Sequence, residues 1–231
     1  MAMTSDQLLA KFRQDMVDVA TDPLWTDDEI YQYIDAAQKE FCRRTLGISD
    51  SRTDEICRLA LADGTEFISL DPRILKIRGA RIESNGAPVE IMNYENLISQ
   101  PSWPFDYGQS HRVVLDNSVG PECKALITDM EQDMVRILPI SSTEQVVLLS
   151  VYRLPLHDIT QTNQMLEIHE QHHLYLLYWV KHLALLKQDA EVFDKNKSDA
   201  MAAAFLNYCA QAKHEQERRE HKPRTVMYGG L

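Results

Sequence analysis

Glycine and proline are scarce, with 8 and 9 residues in a chain of 231, which excludes a collagen-like or low-complexity polymer. Cysteine is scarcer: Cys42, Cys57, Cys123 and Cys209 are widely spaced and form no CxxC pair. That is not a disulfide framework, and buried free thiols are expected. The longest apolar run, Leu174 to Val180, is far too short to span a membrane. The opening Met1-Ala2-Met3-Thr4-Ser5-Asp6 has no basic stretch leading into an apolar one, so no signal peptide is expected. Positive charge is also in deficit: 24 Lys and Arg stand against 35 Asp and Glu, a net −11. Carboxylates repel phosphates, so a protein that grips nucleic acid over its whole surface is disfavoured. A protein past which nucleic acid slides is not.

Catalytic signatures are missing too. There is no GxGxxG, no phosphate loop ending in GK[ST] and no GxSxG elbow. His111, His157, His182, His214 and His221 are scattered. One motif stands out: His169-Glu170-Gln171-His172-His173 is a literal HExxH. On a helix, His169 and His173 would share a face and could hold zinc, with Glu170 as general base. The metzincin continuation fails, because Leu176 stands where that pattern has glycine and Trp179 where it has histidine. A zinc-dependent metallopeptidase is therefore the alternative reading, and the main expectation is a protein without metal, cofactor or catalytic residues.

What is present is an ordinary globular composition, 44% hydrophobic and 26% charged. Residues 4–20 carry a capping box, Thr4 to Gln7, and apolar residues at helical spacing. Residues 26–46 repeat the device with Thr26 and Glu29, flanked by Trp25 and Ile30 at hydrophobic-staple positions, with Gly47 as the stop. A staple alone predicts a loss of about 1–3 kcal/mol for Trp25→Ala.

From about 54 to 154 short apolar runs alternate with turns, among them Asn85-Gly86, a strong hairpin signal. They read as an antiparallel sheet. Residues 99–110, with two prolines and three aromatics, read as a long loop. Residues 166–190 and 194–221 read as two further helices, the first apolar nearly all round, as in a bundle or a subunit contact; Asp194 or Ser198 would cap the second. The last stretch reverses sign, 5 basic against 3 acidic side chains in 213–231. The expected fold is thus α+β, the terminal helices packed as a bundle with an antiparallel sheet inserted mid-chain. Its parts are a helical pair 1–53, a β-rich region 54–163, a helical hairpin 164–222 packed with 1–53, and an extended tail 223–231.

Four stretches resemble the head-to-tail adaptor (connector) proteins of tailed bacteriophages: Leu24 to Arg44, Leu70 to Arg81, Tyr152-Arg153-Leu154-Pro155 with the helix from His173, and the ending Arg224-Thr225-Val226-Met227-Tyr228-Gly229-Gly230. One departure is Ile168-His169-Glu170, where a proline would precede the acidic helix start. The resemblance implies a structural virion protein of the neck, a homo-oligomeric ring beneath the portal, twelvefold by that resemblance. Its DNA channel would pass the genome without sequence-specific binding, and a tail or further neck protein would be the second partner. It implies no catalysis and no membrane. Arg218, Arg219, Lys222, Arg224, Tyr228, Gly229 and Gly230 would form a portal-docking tail. Trp179, Tyr175, Trp103 and Phe105 would pack between subunits.

Overall fold

The structure, a computed structural model, describes residues 3–18, 23–95, 119–188 and 193–219. The chain divides into two compact units, one formed by 1–48 with 155–231 and the other by 49–154.

The first unit is helical. Helix α1 (Ser5–Met16) starts where Thr4 and Gln7 cap each other reciprocally. It ends early, at Val17, which takes a left-handed backbone (φ 58°). Helix α2 (Asp27–Thr45) has the second capping box, Thr26 with Glu29, and three acids in its first turn against the positive end of the helix dipole. Leu46, not Gly47, makes the left-handed stop. Gly47 is required for space instead, since a Cβ there would lie 2.9 Å from the Phe41 ring. Arg13 ties the end of α1 to the start of α2 by pairing with Asp18 and Asp27 and donating to the Trp25 carbonyl at 3.0 Å. After residue 155 an extended stretch is pinned to α2. Asp35 accepts from the Ile159 amide at 3.0 Å, and buried Gln38 accepts from the Glu167 amide at 2.9 Å.

A 3-10 turn, Glu170–His172, then leads into α4 (His173–Leu185), later than residue 166. Asp194, not Ser198, caps α5 (Lys195–Arg219), accepting from the Lys197 amide at 3.0 Å. Ser198 is buried against His182. Leu8, Phe12, Trp25, Ile34, Val180 and Phe205 are buried in this unit. Each stabilises by roughly 1.5–3 kcal/mol relative to exposure.

The second unit is a sheet of eight strands: β1 (Ser49–Asp50), β2 (Arg58–Leu61), β3 (Phe67–Ser69), β4 (Ile74–Ile82), β5 (Pro88–Asn93), β7 (Ala125–Glu131), β8 (Met134–Leu138) and β10 (Gln145–Arg153). The order is β1-β10-β4-β5-β7-β8-β3, with β2 also on β10. β6 (Val119–Gly120) and β9 (Ile140–Ser141) form a separate two-stranded pair. The region expected to be β-rich from residue 54 begins instead with a helical turn, α3 (Asp54–Cys57). Asp50 causes that turn by accepting the Arg52 and Thr53 amides and the Thr53 hydroxyl. The same carboxylate receives Arg153 Nε at 2.6 Å, both side chains nearly buried. Burial pushes the Asp50 carboxyl up, but the hydrogen bonds from Thr53, Arg52 and Arg153 outweigh it and hold it well below the usual carboxylate range.

This corrects the expected fold, a terminal-helix bundle with an inserted antiparallel sheet. The chain is α+β with a large mixed sheet, and among its helices α1, α3 and α4 are short. β5 and β7 run parallel, as do β6 and β9. The connection from Asn93 to Ala125 is long enough for the crossover that the parallel β5–β7 pair requires. A meander reading treats every apolar run as the neighbour of the last, and here that fails.

Candidate assembly surfaces

Helix α4 is apolar on more faces than one core can cover. Leu176, Leu177, Val180, Ala184 and Leu185 are buried, while Leu174 and Tyr175 remain 53% and 41% exposed. Tyr175 stacks flat on Tyr208 of α5, ring centres 3.6 Å apart and planes 10° apart, with Tyr178 beside it at 6.3 Å. Beneath them Tyr208 OH lies 2.8 Å from His172 Nδ1, and the His172 ring packs on Phe41 at 4.7 Å. Burial pushes the His172 imidazole down to about 4 and the Tyr208 phenol up to about 12. This supported aromatic stack presents a rigid, half-apolar surface of the kind protein contacts favour.

The residues expected to pack between subunits separate. Tyr175 is exposed and available. Trp179 is half-buried by its own chain, against Phe205 at 5.0 Å and His182 at 4.8 Å, with the Arg44 guanidinium 5.9 Å over its ring. Trp103 and Phe105 lie outside the described residues. Arg218 and Arg219 are exposed on the last turn of α5; Lys222, Arg224, Tyr228, Gly229 and Gly230 lie outside the described residues.

The HExxH residues are not arranged as a metal centre. His169 precedes the 3-10 turn and caps it, its Nδ1 accepting from the Gln171 amide at 3.3 Å. His173 is buried with both ring nitrogens engaged: Nε2 donates to the Ile168 carbonyl at 2.9 Å, and Nδ1 accepts from the Met3 amide at 3.0 Å. A ligand nitrogen needs a free lone pair, and His173 offers none. Its role is to fix residue 3 and the start of α4. Among the described residues no group of three or more His, Cys, Asp or Glu could hold a metal ion.

A second surface was not foreseen from sequence. In the β unit an open cleft of about 500 Å³ lies where β4 and β5 part. Ile74, Ile77, Ile91 and Met134 give it an apolar lining, and Lys76 and the β7–β8 residues Asp129, Glu131 and Asp133 line it as well. Asn93 Nδ2 donates to Asp129 at 2.5 Å and holds that carboxylate in place. The sequence signal was the run Asp129-Met130-Glu131-Gln132-Asp133, which reads as an ordinary acidic turn until the strands beside it are seen to diverge.

The chain belongs to the SU10 adaptor protein family, which it matches over residues 3–227. It is a phage structural adaptor, a virion-associated class. No curated protein matches it. No helix among the described residues is long and apolar enough to cross a membrane.

Proposed function

We propose that the protein is a head-to-tail adaptor: identical subunits form a ring beneath the phage portal, join head to tail and continue the DNA channel. The observation that carries this reading is family membership over nearly the whole chain. Two features support it. The exposed Leu174–Tyr175 face on α4 suits side-by-side packing of subunits. The net charge of −11 suits a channel wall that repels phosphates and leaves the genome mobile. The segment beyond Arg218 and Arg219, basic first and then apolar in sequence, serves as a docking arm. The protein performs no catalysis in this role.

The test is the mass of the purified protein alone and after mixing with its portal protein. A defined multimeric complex is expected on mixing. Leu174→Ser, on the exposed side of α4, should weaken self-association with little change in melting temperature. A portal mixture that contains only the two separate components would overturn the proposal.

A further inference from the structure

Helix α5 is anchored firmly along its first half and lightly along its second. In the first half Phe205 is fully buried, 5.0 Å from the Trp179 ring, and buried Ser198 donates to the His182 carbonyl at 3.0 Å. Beyond Phe205 the buried side chains are small, Cys209 and Ala212. From Lys213 to Arg219 every residue is exposed except half-buried Gln216. A helical segment with so little apolar burial opens at low cost, apart from the core it adjoins. Its described contacts are polar and aromatic. His172 Nδ1 lies 2.8 Å from Tyr208 Oη, the Tyr208 ring stacks on Tyr175, and Gln216 Nε2 donates to the Leu46 carbonyl at 3.2 Å.

His172 is the member of this set whose ordinary titration lies near neutral pH. Phe41 of α2 packs on its ring, Tyr208 of α5 meets Nδ1, and the Gln171 side-chain amide lies 3.0 Å from Nε2. That amide can turn to offer its oxygen, so hydrogen bonding is not what opposes a proton here. Burial opposes it most, then the His169 ring 6.2 Å away; Glu215 of α5 favours it, and His173 and Arg219 oppose it. Helix α2 contributes the uncharged Phe41 ring, while its Arg44 lies over Trp179 and pairs with Glu40. A charged imidazole is relieved when Tyr208 lifts away and water reaches the ring. We propose that Tyr208 and His172 form a proton-operated clamp: when His172 takes up a proton, residues 208–219 swing off α2 and α4 about Phe205 while the rest of the helical unit stays folded. Opening parts the Tyr208–Tyr175 stack, releases Gln216 from Leu46 and carries the basic end Arg218–Arg219 with it. With the ring held near 4 when closed and back at its ordinary 6.5 when open, the open population should rise roughly twentyfold from pH 7 to pH 5.

Hydrogen–deuterium exchange of the full chain, read by mass spectrometry at both pH values and corrected for the intrinsic exchange rate, tests this. Protection in 208–219 should fall roughly twentyfold on acidification. At each pH it should be lower than in Ile30–Phe41 of α2, and low urea should speed exchange in α2 but not in 208–219. His172→Phe keeps a ring against Phe41 and should abolish the acid response of 208–219. Tyr208→Phe keeps the stack without the hydroxyl and should speed exchange in 208–219 several-fold at pH 7, with the acid response retained. Equal protection and equal urea response in α2 and 208–219 would make the opening global and overturn the clamp. So would protection in 208–219 that is unchanged at pH 5, an acid response that survives in His172→Phe, or a Tyr208→Phe protein that exchanges like the unmodified one. If His172→Phe fails to fold, the unmodified protein and Tyr208→Phe still decide.

Discussion

Trp25→Ala is the sharpest probe of the helical unit. Trp25 is 2% exposed, far more than a staple at one helix end. Its ring meets Phe12 edge-on, centres 5.4 Å apart and planes at 81°, and its indole Nε1 donates to the Ala184 carbonyl at 3.1 Å. One side chain thus binds α1, the start of α2 and the end of α4. Truncating a buried tryptophan costs about 3–5 kcal/mol through lost transfer energy and the cavity left. Stranding the Ala184 carbonyl adds roughly 1–3 kcal/mol. These contributions overlap, because water entering the cavity would satisfy the carbonyl, and the expected loss is about 4–6 kcal/mol. That rivals the whole stability of an ordinary domain, so Trp25→Ala should leave the helical unit largely unfolded at 37 °C. Trp25→Phe keeps a ring edge for Phe12 and loses the N–H, with an expected cost of about 1–2 kcal/mol. Urea unfolding followed by far-ultraviolet circular dichroism measures both. A loss below about 1 kcal/mol for Trp25→Ala would refute the reasoning, since no core position of this size should be so cheap.

Asp50→Ala removes the carboxylate that accepts from Arg153 and from the α3 turn, and should cost about 3–5 kcal/mol by breaking a nearly buried ion pair. The lowered pKa of Asp50 has the matching pH signature: its stabilisation is present above the ordinary aspartate value of 3.8 and is lost as pH falls below it. His172 acts higher on the scale. Burial holds it near 4 against an ordinary 6.5, so between those values the unfolded chain binds a proton the folded one refuses. Stability should fall as pH drops from 6.5 toward 4, by roughly 2–3 kcal/mol, and His172→Phe should flatten that slope in a melting series. Thr26→Ala should cost about 1 kcal/mol by removing the acceptor for the Glu29 amide, measured by denaturant titration.

Local chemistry was legible in the residues. The capping boxes at Thr4 and Thr26 and the Asn85-Gly86 turn each depend on neighbours within a few positions, and each formed as spaced. Non-local pairing was not. Nothing in Val89–Met92 shows that β5 leaves β4 after two residue pairs to run parallel with β7, because that depends on a partner more than thirty residues away. The cleft is a product of that divergence and was hidden for the same reason. The zinc alternative needed helical spacing across residues 169–173, whereas the α-helix begins only at His173. Stops at Val17 and Leu46 were missed because left-handed backbone falls to non-glycine residues there, held by hydrogen bonds that the backbone N–H groups donate to earlier carbonyls.

The helical unit is assembled from the two ends of the chain, and that fixes a schedule for its birth on the ribosome. Helices α1 and α2 emerge first, but the partners of Trp25 and Phe41 in α4 and α5 do not exist until 128 residues later, counting from Thr45 to His173. At ordinary synthesis speeds that is a wait of roughly 6–25 s. Residues 49–154 are continuous in sequence and can complete their sheet in the meantime. The first-made helices pass that interval without the Ala184 carbonyl for Trp25 and without the His172 and Tyr208 rings for Phe41, so the core of this unit closes only after the sheet has been made.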